Sequence, residues 1–368
     1  MYSQTEIDEA VASGAITAEA AAALREHIQQ SRELPIQDEE QFRLVTSFND
    51  IFVSIAAAIL MFAVGWIGQW VGERVGFTVE SDGPSALAPL AVAATSWGLA
   101  LFFTAKRRMA LPSILLLLTF VFSVFAAAGF LFVQAIGTER FEDSEQLIGI
   151  VIAIAGAVAA AAAWLHWQRF RVPITVAAGA SALSALAVGL LFYALGASDR
   201  TLDIIQGFVL VLGVGVFLFA MWWDASDRAR ITRRSDVAFW LHLLAAPMIV
   251  HPVFTLLGLN DGNATILEGF VVVLLYVVMG VTALAIDRRA LLVSALAYVL
   301  FALNQLFERF GAVELNVALT ALVIGSALLM LSAFWHQARA VVVRPLPAGI
   351  RQRLPLVDRA PATPQPAA

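Results

Sequence analysis

The sequence predicts an all-α integral membrane protein of about ten transmembrane helices, arranged as antiparallel hairpins with the N-terminus and C-terminus inside. Three observations predict it. Of 368 residues, 60% are hydrophobic and 14% charged, with a mean hydropathy of +0.81; soluble domains carry about 45–50% apolar and about 25% charged residues. The apolar residues fall in blocks of about 20, the length that crosses a hydrocarbon core of about 30 Å. Lysine and arginine segregate into alternate connections, as the positive-inside bias requires.

Residues 1–34 read as a short cytoplasmic helical hairpin. Ser3-Gln4-Thr5-Glu6 fits a capping box, in which the serine and the glutamate satisfy each other's backbone donors. Ile7, Ala10 and Val11 share a face, Gly14 suits the positive-φ position after a helix, and Thr17 can cap a second helix carrying Ala20, Leu24 and Ile28. Two helices this short bury too little to stand alone. They should dock on the membrane domain, a second copy or a protein partner.

Residues 35–50 form an interfacial linker helix, with Phe42, Val45 and Phe48 on one side and Asp38, Glu39 and Glu40 in the first turn, where the helix dipole favours acids. The first apolar run starts at Ile51, too far in for a cleavable signal, so the first span is expected to act as an uncleaved anchor. Asn49 and Asp50, at the inner mouth of that span, are a candidate inner polar site, with a helix cap as the structural alternative.

The ten-span domain covers 51–336. Spans are expected at 51–70, 86–105, 112–135, 147–165, 173–195, 204–223, 237–258, 266–286, 290–307 and 316–335. With the N-terminus inside, the inner segments hold 19 of the 23 basic residues and the outer loops four, namely Arg74, Arg140, Arg200 and Arg309. Tryptophans agree: Trp164, Trp167, Trp222, Trp223, Trp240 and Trp335 lie near inner span ends, where amphipathic rings settle at headgroup level. Residues 337–368, with six prolines from Pro345 onward, are expected to form a disordered or extended cytoplasmic tail.

Packing and internal symmetry leave fainter marks. Gly149, Ala153, Ala157 and Ala161 recur every four residues, as do Ala177, Ser181, Ala185 and Gly189. Small residues in a stripe let backbones approach in lipid, so both stripes should face inward. Gly213-Val214-Gly215 reads as packing in the same way. Lys106-Arg107-Arg108, Gln168-Arg169-Phe170-Arg171 and Asp287-Arg288-Arg289 each separate two apolar runs, which hints at a repeated two-helix hairpin.

Several chemistries are excluded. There are no cysteines, hence no disulfide, thiolate nucleophile or iron–sulfur cluster. No phosphate-binding loop, His-Glu-x-x-His zinc motif or Gly-x-Ser-x-Gly elbow occurs. A net charge of −5 with scattered basic residues argues against nucleic acid. No cofactor or metal is expected: His242 and His251 are nine residues apart, half a turn out of phase, and His166 and His336 belong to interfacial span ends. The span centres hold no Asp, Glu, Lys or Arg, which argues against a midplane carboxylate. Polar residues gather at the outer ends of the later spans, and His251, Glu268, Asn304 and Glu308 form a candidate outer pocket able to hold a cation, an amine or a proton.

The opening pattern, an acidic helix followed by Gly14-Ala15-Ile16-Thr17 and an Ala-rich helix, together with Asp38-Glu39-Glu40-Gln41-Phe42-Arg43-Leu44 and Phe48-Asn49-Asp50-Ile51-Phe52, resembles a group of uncharacterised bacterial multi-pass membrane proteins grouped under a domain of unknown function. The resemblance covers about the first 70 residues and implies a bacterial inner-membrane location and a layout, but no chemistry. Three function classes fit: a permease-like transporter of a small solute, a structural or regulatory membrane protein acting through its N-terminal hairpin, and a membrane enzyme on a lipid or lipid-linked group.

Overall fold

The computed structural model describes residues 11–23, 48–80, 83–228, 230, 232–257, 266–289, 291–292, 296, 300 and 316–355. Among them the secondary structure is helical, with no strand. The chain divides into two units, one of 1–43 with 358–368 and one of 44–357.

Of the first unit, only 11–23 is described. Gly14 has φ +73° and donates its N–H to the Val11 carbonyl at 3.0 Å. Thr17 Oγ1 accepts the N–H of Ala20 at 3.1 Å, the bond an N-cap makes. The remainder of the 1–34 hairpin and the linker at 35–47 lie outside the described residues.

The second unit is a run of helices: α1 (Phe48–Arg74), α2 (Leu87–Phe103), α3 (Ala110–Ile136), the short α4 (Glu139–Asp143), α5 (Gln146–Phe170), α6 (Ile174–Leu195), α7 (Asp199–Ala225), α8 (Arg233–Leu256), α9 (Ile266–Ile286), α10 (Asn316–Ala333), α11 (Trp335–Val343) and α12 (Ala348–Arg351). A helix covers most of each stretch expected as one of spans one to eight. Among the described residues, six helices are long and apolar enough to cross a membrane; α2, at 17 residues, is apolar but shorter. Phe62, Phe122 and Leu329 are 72%, 72% and 73% exposed. Bare apolar faces of this kind are wrong for water and right for lipid, and they mark a membrane-embedded protein.

Neighbouring helices pack as hairpins, α1 on α2, α2 on α3, α5 on α6 and α7 on α8, with α3 against α5 and α6 against α8. Their cores follow one another through the bundle. Ala57, Met61, Ala100 and Leu116 join α1–α3. Leu117, Ala159, Ala163 and Ala182 join α3, α5 and α6. Ala177, Ala220, Val237, Leu241 and Ala245 join α6–α8.

The closest approach is between α5 and α6, and it takes in Gly149, Ala153 and Gly189 of the four-residue stripes together with Gly156, Ala182 and Leu186 outside them. Gly149 and Gly189 lie at the crossing: a Cβ on Gly149 would fall 2.6 Å from the Gly189 carbonyl oxygen and 2.5 Å from the Tyr193 nitrogen. Gly156 is the third contact, where a Cβ would fall 2.6 Å from the Leu186 nitrogen. Ala153 and Ala177 are buried and Ala185 half-buried, but Ala157, Ala161 and Ser181 are exposed. The correction is geometric. A step of four residues turns about 400°, so a strict four-residue stripe drifts about 40° per step. The contact stripe alternates steps of four and three, through Gly149, Ala153 and Gly156. Gly213, read as packing, fits closely too: a Cβ there would meet Met248 backbone at 2.8 Å.

The turns repeat. At the arginine-rich end, Arg108, Arg171, Arg230 and Asp287 all have φ of 54–57°. At the other end, Gly76, Gly137 and Gly196 have positive φ. The spacings are 63, 59 and 57 residues for the first set and 61 and 59 for the second. Arg171, Asp287 and the three glycines stand one or two residues past a helix, where a left-handed residue lets the chain reverse while the last carbonyls stay bonded; Arg108 and Arg230 come five residues past α2 and α7, two and three residues before the next helix. The near-constant spacings fit a two-helix unit used in one orientation.

Residues 337–355 correct the expectation of a disordered tail. α10 and α11 meet at a 75° bend. Beyond it, Val343 and Leu354 are buried with Leu284, Ile286, Leu291 and Trp335. The prolines bound the helices here rather than preventing a fold: Pro345 follows α11 and Pro347 caps the start of α12. Residues 356–368 lie outside the described residues.

Candidate functional site

The arginine-rich end of α7–α9 and the segment 335–355 hold a buried ionic network. It begins with Asp224 in the last turn of α7. That is the negative end of the helix dipole, an unfavourable place for a carboxylate without a cation. Arg288, just past α9, supplies one. Its Nη2 and its Nε (3.3 Å) both donate to the Asp224 carboxylate, and Nη2 also donates to the Ser235 carbonyl at 3.0 Å. Arg288 is 3% exposed and Asp224 1%.

The second partner of Asp224 is His242, with Nε2 at 3.0 Å from Oδ2. A carboxylate held by a guanidinium only accepts, so Nε2 carries the proton. His242 is fully buried, about 13 Å along α8 from Arg233 at roughly 1.5 Å per residue. Its ring meets Phe217 edge-on at 5.2 Å. Nδ1 is buried and has no hydrogen-bond partner among the described residues. A buried imidazole nitrogen left open is uncommon and calls for an explanation.

Asp287, the residue after α9, organises the other half. Its Oδ2 accepts from Arg230 Nη1 at 3.0 Å, and its Oδ1 accepts from Trp335 Nε1 at 2.8 Å. Arg339 Nε lies 3.6 Å from Oδ1. Arg230 also donates to the Ile286 carbonyl at 2.8 Å. The turn that aims Arg230 is set by Asp227, whose Oδ2 accepts the Thr232 N–H at 2.9 Å and hydroxyl at 2.6 Å. Thr232 in turn caps α8.

Arg339 and a further arginine of this end, Arg228, tie down the C-terminal strap. Arg339 Nη2 donates to the Pro355 carbonyl at 2.8 Å. Arg228 Nε donates to the Leu354 carbonyl at 2.9 Å, and its Nη2 to that of Arg351 at 3.2 Å. Arg289 stands apart, over the Trp335 ring at 4.9 Å. A cavity of about 140 Å³ opens beside it, lined by Arg289, Leu292, Leu296, Leu328, Leu331, Ser332 and Trp335.

The residues expected to form sites are distributed otherwise. His251 is exposed on α8, and its carbonyl accepts from Thr255 Oγ1 at 3.0 Å. Glu268 is in the first turn of α9, with its side chain outside the description. Asn304 and Glu308 lie outside the described residues. At the start of α1, Asn49 is exposed and Asp50 is 2% exposed; Ser54 Oγ donates to the Asp50 carbonyl at 2.7 Å. His166 is buried against Phe170, Phe120 and Trp97, with Nδ1 3.3 Å from Thr175 Oγ1. Among the described residues, no group of three or more His, Asp or Glu is arranged to hold a metal ion.

No family model, curated protein or solved structure matches this chain.

Proposed function

We propose that the chain is a ten-span protein of a bacterial cytoplasmic membrane, both ends inside, acting as a permease-like carrier for a small solute. In this reading the Asp224–His242–Arg288 triad handles a proton during the cycle. The observation that supports it is the imidazole sealed inside the bundle, with one nitrogen on Asp224 and the other open. Ionisable groups taken out of water cost several kcal/mol each, and well-packed apolar residues hold helices together at least as well. Such groups inside spans commonly belong to ion pathways and proton relays. Asp224 lies at a helix end rather than at a midplane, so the relay would start at the arginine-rich surface and lead inward through His242.

The test uses full-length protein in proteoliposomes containing a pH-sensitive dye, challenged with amino acids, carboxylates, amines, sugars and nucleosides. One class should drive proton movement, and His242→Gln should abolish it while leaving the thermal unfolding temperature near that of wild type. Lack of movement with every class, or full coupling in His242→Gln, overturns the carrier reading. Orientation has its own test. The chain lacks cysteine, so single cysteines at Arg140 and Arg200 should react with an impermeant maleimide from outside the cell, and those at Arg107 and Arg171 only after lysis.

A regulatory reading has one observation in its favour. Backbone carbonyls of 351–355 are held by Arg228 and Arg339, so the strap and the helix ends are coupled. Loss of solute movement together with capture of a defined membrane partner through residues 1–34 would favour it.

A further inference from the structure

We propose that the groove beside Arg289 is a binding site for an anionic phospholipid of the leaflet at the arginine-rich end. Its phosphate would pair with the Arg289 guanidinium and one acyl chain would lie along Leu292, Leu296, Leu328 and Leu331. This is independent of the carrier reading.

Charge complementarity at the mouth is the first argument. Asp224 takes Arg288, and Asp287 takes Arg230 and Arg339. Arg289 has no carboxylate partner among the described residues: it is half-buried, and its ring contact is the face of Trp335. Trp335 is itself fixed, since its Nε1 donates to Asp287. The ring therefore holds Arg289 in place without neutralising it. A planar guanidinium presenting free donors at a helix end suits a phosphate.

The lining supplies the second argument. Leu292 and Leu296 are four residues apart. Leu328, Leu331, Ser332 and Trp335 follow at three, four and seven residues. Leu292 and Leu296 are spaced to share one helical face, as are Leu328, Leu331 and Ser332 on α10, and Trp335 follows across the 75° bend into α11, so beside the cation the lining is apolar apart from Ser332. Leu296, Leu328 and Leu331 are half-buried and Ser332 is exposed. The slot thus opens at the surface rather than into the core. A cation at the end of an apolar slot, reached from the bilayer, fits an amphiphile whose head is an anion. Basic pockets between spans are a known way of holding acidic lipid headgroups.

The experiment is native mass spectrometry of the full-length protein in detergent, titrated with dioleoyl phosphatidylglycerol and dioleoyl phosphatidylcholine. Wild type should retain one phosphatidylglycerol per chain in preference to phosphatidylcholine. Arg289→Gln should reduce that preference about tenfold, equivalent to about 1.4 kcal/mol. Leu331→Trp, which fills the slot and keeps the charge, should reduce retention of both lipids. Unfolding temperatures without lipid show whether each variant is folded; should Arg289→Gln fail that control, wild-type selectivity and Leu331→Trp decide. Equal retention of the two lipids by wild type overturns the proposal. So does unchanged preference in folded Arg289→Gln. Displacement of the bound lipid by millimolar inorganic phosphate alone would assign recognition to the anion and also overturn it.

Discussion

Replacing Gly156 by alanine adds one methyl group at the α5–α6 crossing, and the structure says what that methyl would meet. The new Cβ would stand 2.6 Å from the Leu186 nitrogen and 2.8 Å from the Ala182 carbonyl oxygen. Ordinary contact starts near 3.4 Å, so the helices must part by 3.4 − 2.6, about 0.8 Å. Both obstacles are backbone, which no rotamer change can clear. A radial gap of about 0.5–1 Å forfeits a quarter to a half of each dispersion contact along the seam, and overpacking a close-fitted site costs about 1–3 kcal/mol. Alanine gains about 1 kcal/mol in helix propensity, which leaves a net loss of up to about 2 kcal/mol. The assay is equilibrium unfolding of the full-length protein in mixed micelles, followed by helix content. Ala157→Leu and Ser181→Leu are the controls. Both positions are exposed, and surface changes usually stay within about ±0.5 kcal/mol. If Gly156→Ala unfolds at the wild-type midpoint, or Ala157→Leu shifts it equally, the crossing does not run where these distances put it.

Asp224→Ala should destabilise the protein by about 3–5 kcal/mol, because it leaves the Arg288 charge buried without a partner; Asp224→Leu combined with Arg288→Met should recover much of that, as read by the same unfolding measurement. Trp335→Phe removes the donor to Asp287 and should cost about 1.5–3 kcal/mol, the range for a hydrogen bond to a charged group. Arg228→Ala should expose the strap, giving faster limited proteolysis between Val343 and Leu354 with little change in global unfolding. Arg108, exposed and at φ 54°, carries about 1 kcal/mol of left-handed strain, so Arg108→Gly should raise stability by about that amount in thermal unfolding.

What the sequence reveals and what it hides divide along one physical line. Helix positions are local: blocks of apolar residues set them, and α1, α3, α5 and α6 begin and end within a few residues of the expected spans. Gly149 and Gly189 are legible for the same reason, since a small residue on a stripe is a local pattern. Ala157 and Ser181 were misplaced because a stripe of constant spacing drifts around the helix, and sequence alone does not say where the partner helix stops following it. The ionic network is not local. His242 and Asp224 are 18 residues apart, Asp287 and Arg230 57, and Arg288 and Asp224 64. Charges at Arg230 and Arg288 read as orientation signals, which they can be while also being buried.

A trace of the network was present all the same. Asp224 is the penultimate residue of α7 and Asp287 follows the last residue of α9. Both acids stand at the negative end of a helix dipole, where the field opposes them by about 0.3–1 kcal/mol even at a wet surface. An acid in that position next to lipid needs a cation brought from elsewhere in the chain, and each of these two has one. The positive-φ series adds the second half of the inference. Arg230 and Asp287 occupy the same place in successive hairpins as Arg108 and Arg171, so turn geometry alone puts charged side chains at one end of every unit. In the first two units those side chains remain arginines at the surface. In the last two, aspartates have entered the same turns and drawn Arg230, Arg288 and Arg339 inward. Exchanging charge between the halves should therefore act asymmetrically. Asp287→Arg, which restores the pattern of the earlier turns, adds a third unneutralised cation beside Arg230 and Arg339 and should prevent 335–355 from folding down. Arg171→Asp, at the equivalent turn, has only Trp167 to lose and should leave the fold intact.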